Sequence, residues 1–212
     1  MGMLRAQRMA TGGFSVIELL VVLAIAAIIM AYAIPAYKNM IIQYRMSGEI
    51  NDLQTDIEIA RSSAIRSGTN VTICPSPTPA ASVPTCGAST NSQWNTGWII
   101  FTDTSTTVDQ QSYQPQNGDT LLRIHNALQS TDTVTSSSTD AGVTVSSLTF
   151  NRMGGTGSLG STPASPPTGW LVLNDATNDA GMIRCLSIGV SGTMAAYTPQ
   201  STATNGGGAQ CP

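Results

Sequence analysis

Residues 12–35 read GGFSVIELLVVLAIAAIIMAYAIP. Gly12 and Gly13 close a short leader whose basic residues are Arg5 and Arg8, and the aromatic Phe14 follows. A single carboxylate, Glu18, precedes sixteen residues (19–34) that carry no charge. A carboxylate at the mouth of an apolar run is costly in lipid, so its presence asks for a functional reason.

Two ordinary readings compete for this stretch. One is a secretory signal peptide, with Arg5 and Arg8 as the basic region and Ala31-Tyr32-Ala33 imitating an A-x-A cleavage site. The other is a plain signal anchor, because about 20 apolar residues span a bilayer. Neither gives Glu18 a purpose, and neither accounts for the sequence beyond Pro35. There the apolar pattern does not stop but becomes one-sided, with Ile42, Met46, Leu53, Ile57, Ala60 and Ala64 recurring at helical spacing. The pattern predicts one long helix over residues 14–67, roughly 80 Å at 1.5 Å per residue. Pro35, which lacks a backbone donor, is the expected kink; Gly48 is a second soft point. Arg66-Ser67-Gly68 reads as the helix stop.

The 212 residues allow one domain plus an anchor. Only 10% of residues are charged, and Ser, Thr, Asn and Gly dominate after residue 67, a profile that suits an exported β-rich domain. Loss of the leader would remove two of the nine basic residues and none of the twelve acids, giving −5. A net acidic chain has no bulk attraction for nucleic acid or anionic lipid. Cys74, Cys86, Cys185 and Cys211 all follow the apolar segment, and an even count in an exported domain favours disulfides, with three connectivities possible. We expect Cys74–Cys86 and Cys185–Cys211, since each pair brackets a Pro-, Gly- or Ser-rich loop. Zinc fits poorly: no pair has C-x₂₋₄-C spacing and the one histidine is His125. No metal and no cofactor are expected.

After Gly68 the signals are short and strand-like. Strands are predicted over 70–74, 97–103 (GWIIFTD), 120–126, 143–151, 169–173, 184–190 and 193–197, separated by turn clusters as in antiparallel sheets. Residues 75–93, 129–142 and 154–168 read as loops, and 199–212 as a low-complexity tail.

The N-terminal stretch resembles type IV pilins and type II secretion pseudopilins. The second half, with Trp94 and Gly97-Trp98-Ile99-Ile100-Phe101-Thr102-Asp103 matching W-x-x-GW-φ-φ-F-x-D, and Phe150-Asn151-Arg152-Met153-Gly154 matching F-x-x-x-G, resembles the GspH/FimT branch of minor pseudopilins. The resemblance implies an α+β, pilin-like fold, a long N-terminal helix packed on a small antiparallel β domain. It divides the chain into a leader (1–13), a transmembrane and filament-core helix (14–37), an amphipathic half-helix (38–67), a β-rich globular domain (68–198) and the tail. It further implies cleavage by a prepilin peptidase between Gly13 and Phe14, N-methylation of Phe14, and an assembly role for Glu18 through the neighbouring subunit's N-terminal amine. The implied partners are other pilins, the peptidase and an inner-membrane assembly platform. The implied location is the inner membrane, single-pass, with the C-terminal domain in the periplasm, and then the pilus or pseudopilus.

DNA-binding members of that branch carry Gly-Arg-x-Arg near the C-terminus. The matching place here is Gly192-Thr193-Met194-Ala195, where both arginines are missing. Arg123, Arg152 and Arg184 remain as the candidate DNA contacts, against a reading as solvated surface cations, and nucleic-acid binding is not the favoured expectation. Asn174, Asp175, Asn178 and Asp179 hold four oxygen-bearing side chains within six residues, but without EF-hand spacing a polar turn is the better reading. His125 has no motif around it, and no serine sits in a G-x-S-x-G elbow. The chain does not read as an enzyme. Between the two machines, the basic leader and the GW strand favour a FimT-like minor pilin of a type IV pilus over a type II secretion pseudopilin of the GspH type.

Overall fold

The structure is a computed structural model that describes residues 13–87, 93–104, 113–128, 130–138, 145–156, 169–177, 179, 181–189 and 191–198. The leader with Arg5 and Arg8, residue Asn178, most of the 154–168 loop, and the tail with Cys211 lie outside the described residues. The chain divides into two compact units at Ile41/Ile42.

Helix α1 runs Val16–Ser67, with Pro35 inside it. It begins two residues later than the apolar pattern suggests, because Ser15 takes the cap: its Oγ accepts the Glu18 N–H at 3.2 Å. It ends where predicted, and the Gly68 N–H closes the last turn on the Ala64 carbonyl at 3.0 Å.

In the unit from residue 42 onward, the one-sided stripe of α1 is the spine of the core. Met46, Ile50, Leu53, Ile57, Ala60 and Ala64 are all buried, three or four residues apart. Against them stand two four-stranded antiparallel sheets. Strands β1 (Asn70–Pro75), β2 (Gly97–Asp103), β3 (Leu121–Asn126) and β5 (Leu148–Phe150) form the first, in the order β3-β2-β1-β5. Strands β4 (Thr133–Ser138), β6 (Gly169–Asn174), β7 (Arg184–Ile188) and β8 (Met194–Tyr197) form the second, in the order β4-β6-β7-β8. Alternating residues of β1, β2, β5, β6 and β7 join the helix stripe in one core: Val71 and Ile73, Trp98 and Ile100, Leu148 and Phe150, Leu171 and Leu173, Leu186 and Ile188. The opposite face of the first sheet holds a smaller cluster of Cys74, Ile99 and Phe101, with Cys86, Tyr113 and Leu121 around it.

The GW pair has a steric reason. Gly97 sits at φ +107°, and a Cβ there would lie 2.5 Å from the His125 carbonyl oxygen of β3. Only glycine admits that approach, which seats Trp98 opposite His125 in the ladder. Trp94, in the short 3-10 turn ahead of β2, and Trp98 are both buried, and the Trp94 indole donates to the Val145 carbonyl at 3.1 Å.

One expectation is corrected. Residues 129–142 contain strand β4, not an uninterrupted surface loop. Its sequence, TVTSSS, has a single apolar residue, Val134, and β4 lies at a sheet edge paired with β6 alone, so little of it needs to be hydrophobic. The strand predicted over 143–151 is shortened to Leu148–Phe150.

Candidate functional site

The segment that opened the sequence reading presents an apolar surface with nothing of its own to bury against. Fourteen large apolar side chains from Phe14 to Ile34 are exposed, each at 51% or more of its free surface. At about 1.5–3 kcal/mol per side chain for full burial, and with roughly half the surface available, covering them is worth on the order of 20 kcal/mol. A deficit of that size calls for lipid or other helices. α1 is long and apolar enough to cross a membrane by length and composition.

Gly13, Phe14 and Ser15 are non-helical, so the Gly13–Phe14 bond lies ahead of the first turn. Glu18 is the one acid in that turn, where the helix dipole favours negative charge. Ser15-Val16-Ile17-Glu18 is thus a capping signature, S-x-x-E, which the sequence reading passed over. It gives Glu18 a local role at the helix start beside the implied intersubunit one.

In the globular unit the predicted cations are engaged or apart. Asp56 of α1, 1% exposed, is the centre of one cluster. Its Oδ2 accepts the Trp98 indole N–H at 2.9 Å and stands 3.1 Å from His125 Nδ1, while Oδ1 pairs with Arg123 Nε at 2.6 Å. His125 stacks on Trp98 with ring centres 3.9 Å apart. The lone histidine and Arg123 are therefore held by a buried carboxylate 69 and 67 residues away, which no local pattern announces. Burial pushes the Asp56 carboxyl up, but the His125 and Trp98 hydrogen bonds and the Arg123 charge outweigh it and hold the group below the ordinary carboxylate range.

Arg184 donates instead to the Met182 and Ile183 carbonyls beside it. Arg152 sits in the turn after β5. Among the described residues no hydrogen bond or ion pair joins the three arginines. Asp175 is a turn former: it accepts the Thr177 and Asp179 backbone N–H groups at 3.2 and 3.0 Å, together with the Thr177 hydroxyl. Burial raises its carboxyl pKa and these donors more than offset that, leaving it below the ordinary range. The described residues contain no grouping of acids, His or Cys that could hold a metal.

Gly192 has a structural office. It sits at φ +72°, and a Cβ there would meet the Gly154 carbonyl oxygen at 2.3 Å. Arg61 of α1 clamps both turns, donating from Nε to the Gly154 carbonyl at 2.9 Å and from Nη2 to Ser191 O at 3.3 Å. Beyond it, Thr193, Met194 and Ala195 line an open groove of about 430 Å³ with Trp170 and Tyr197, and no cation is among the lining residues.

Cys74 and Cys86 form a disulfide across the loop after β1. Cys185 is also disulfide-bonded, and its expected partner Cys211 lies outside the described residues.

Comparison with known proteins completes the picture. Residues 49–192 match the family described as type II transport protein GspH, and residues 8–34 match the prokaryotic N-terminal methylation motif. No curated protein matches. The solved structures that resemble this one include the type IV minor pilin FimU of Pseudomonas aeruginosa in two crystal forms. The first shares 18% identity, covering 74% of this chain and 95% of that one, with a TM-score of 0.47. The second also shares 18% identity, covering 72% and 96%, with a TM-score of 0.44. With the GspH match spanning two thirds of the chain and the methylation motif lying on the apolar start of α1, this chain belongs to the GspH family, as a minor pilin or pseudopilin of the type IV pilus or type II secretion type.

Proposed function

We propose that this chain is a structural minor pilin of a type IV pilus, FimT-like, which helps to initiate the filament or present its tip surface and catalyses no reaction. The observation that carries the reading is the exposed apolar surface of residues 14–34 opening at Glu18 directly after Gly13-Phe14. On this reading the leader stays cytoplasmic through Arg5 and Arg8. A prepilin peptidase cuts after Gly13 and methylates Phe14. The α1 segment then leaves the inner membrane for a filament of other pilins, with the globular unit on the periplasmic side. Glu18 pairs with a neighbour's Phe14 amine, an ion pair worth far more in hydrocarbon than in water.

Glu18→Ala separates this role from the local one at the helix start. The variant should be cleaved at Gly13 as the wild type is, yet be absent from sheared filaments by immunoblot. Incorporation at the wild-type level would refute the assembly role.

The family match itself favours a second reading, a GspH-type pseudopilin of a type II secretion system. A deletion strain scored for twitching and for exoprotein release distinguishes the two, and loss of release with normal pili would decide for secretion. DNA uptake is the least supported reading, since Arg123 is held by Asp56 and the place of the Gly-Arg-x-Arg arginines is taken by Thr193 and Ala195. The absence of salt-sensitive binding in a mobility-shift assay would end it.

A further inference from the structure

Within the globular unit, three ionisable groups join α1 to the segment that leads into β4. Arg45 donates from Nε and Nη2 to the two oxygens of Asp132, each at 2.9 Å, and the Asp132 side chain is fully buried. One turn along α1 from Arg45 stands Glu49, on the same helix face. Its Oε2 is buried and has no hydrogen-bond partner among the described residues, and the Asp132 carboxyl, a second acceptor, acts on it. Two carboxyl groups that act on one another repel when both are ionised, and a proton shared between them removes the repulsion and supplies the missing donor.

The surrounding charges sharpen the conflict. Asp52 adds negative charge from α1. His125 of β3 lines the same open cleft, of about 500 Å³, but is itself engaged by Asp56. Asp175, from the turn after β6, acts on Arg45. One guanidinium therefore serves several acids.

We propose that Arg45, Glu49 and Asp132 form a proton-operated latch that fastens the edge strand β4 to α1 and loosens it when the proton on Glu49 is lost. With the proton present, Glu49 donates to an Asp132 oxygen that also accepts from Arg45. Without it, two adjacent negative charges face one arginine in a partly buried place. Burial first, and Asp132 next, push Glu49 up to about 7, against the opposing charge of Arg45. β4 is the natural element to move, since among the described residues β6 is its one partner strand.

The sign follows from linkage. Glu49 has a higher pKa latched than released, so latching takes up a proton and weakens as pH climbs from the ordinary carboxylate value to about 7. A fully expressed shift would raise the opening equilibrium about 25-fold between pH 5.5 and 8; with solvent screening of a group that is only partly buried, about tenfold is expected.

The test is hydrogen–deuterium exchange on the full chain in detergent micelles, corrected for intrinsic exchange rates. Protection of residues 131–138 should fall about tenfold from pH 5.5 to 8, while β1 and β2 stay unchanged. Glu49→Gln keeps a neutral donor and should abolish the dependence. Asp132→Asn removes the like charge and should move the midpoint toward the ordinary carboxylate range. Equal protection of β4 at both pH values would overturn the latch. So would an unaltered pH dependence in Glu49→Gln, or a uniform loss across all strands.

Discussion

Asp56→Ala is the sharpest probe of how the globular unit is held together. The substitution strips three partners at once from a carboxylate that is 1% exposed. The Trp98 indole N–H, also buried, loses its only recorded acceptor, which costs about 1–3 kcal/mol. Arg123 is half exposed and can turn to water, so its loss is worth no more than about 1 kcal/mol. His125, stacked on Trp98, loses a contact of similar small size. Relief of the desolvated Asp56 charge offsets part of the sum, leaving about 2–4 kcal/mol. For a unit of this size each kcal/mol shifts Tm by about 2–4 °C, so a fall of roughly 5–15 °C is expected. Calorimetry of the full chain in micelles, with urea unfolding followed by tryptophan emission, measures it. Asp56→Asn keeps an acceptor for Trp98 and should lose about half as much. Acid adds a second check, because the folded Asp56 pKa lies below its unfolded value. Its stabilisation is present above the ordinary carboxylate pKa near 4 and disappears as pH falls through the lower folded value. Both variants should thus lose less stability in acid than the wild type. A Tm change under 1 °C for Asp56→Ala would refute the view that this cluster ties α1 to β2 and β3.

Gly192→Ala forces a side chain into a left-handed backbone and onto the Gly154 carbonyl, so a loss of about 2–4 kcal/mol is expected in the same unfolding assay. A neutral result would mean that the two turns part without cost. Cys86→Ser opens a loop closed across a sequence separation of 12, and chain entropy alone sets the expected loss at about 3 kcal/mol. Urea midpoints with and without reductant should then differ in the wild type more than in the variant, and equal differences would count against a stabilising Cys74–Cys86 bond.

What could be read beforehand follows the range of the interactions. The helix, its stop at Gly68 and the GW strand rest on neighbours within a few residues, and they stand where residue pattern put them. β4 was missed because its register is set by β6, 31 to 41 residues later from Ser138↔Gly169 to Thr133↔Asn174, and its own serines carry no period-2 signal. The same holds for the charges. Asp56 looks from sequence like one more solvated acid, since the groups that define it arrive from 42, 67 and 69 residues away. Ser15 is the contrary case: its S-x-x-E signal was local and legible, and was overlooked because the apolar run drew all explanation to Glu18.

α1 solves the burial problem twice, in two ways. From Met46 to Ala64 its apolar face is a narrow stripe covered by this chain's own sheets, so a polar substitution there should cost stability whether or not any partner is present. Over residues 14–34 the apolar surface runs all round and is exposed, so the same substitution should leave the unfolding of the globular unit unchanged and act only on membrane insertion or assembly. An all-round surface can be shared among several neighbours, whereas a stripe fits one partner face, and that difference separates a packing helix from a folding one. Glu18 belongs to the all-round setting. In the stripe a carboxylate can be held by its own chain, as Asp56 is; at the head of the all-round segment, the capping serine supplies a backbone contact but no opposite charge. On the proposed reading the balancing cation is the Phe14 amine of a neighbouring subunit.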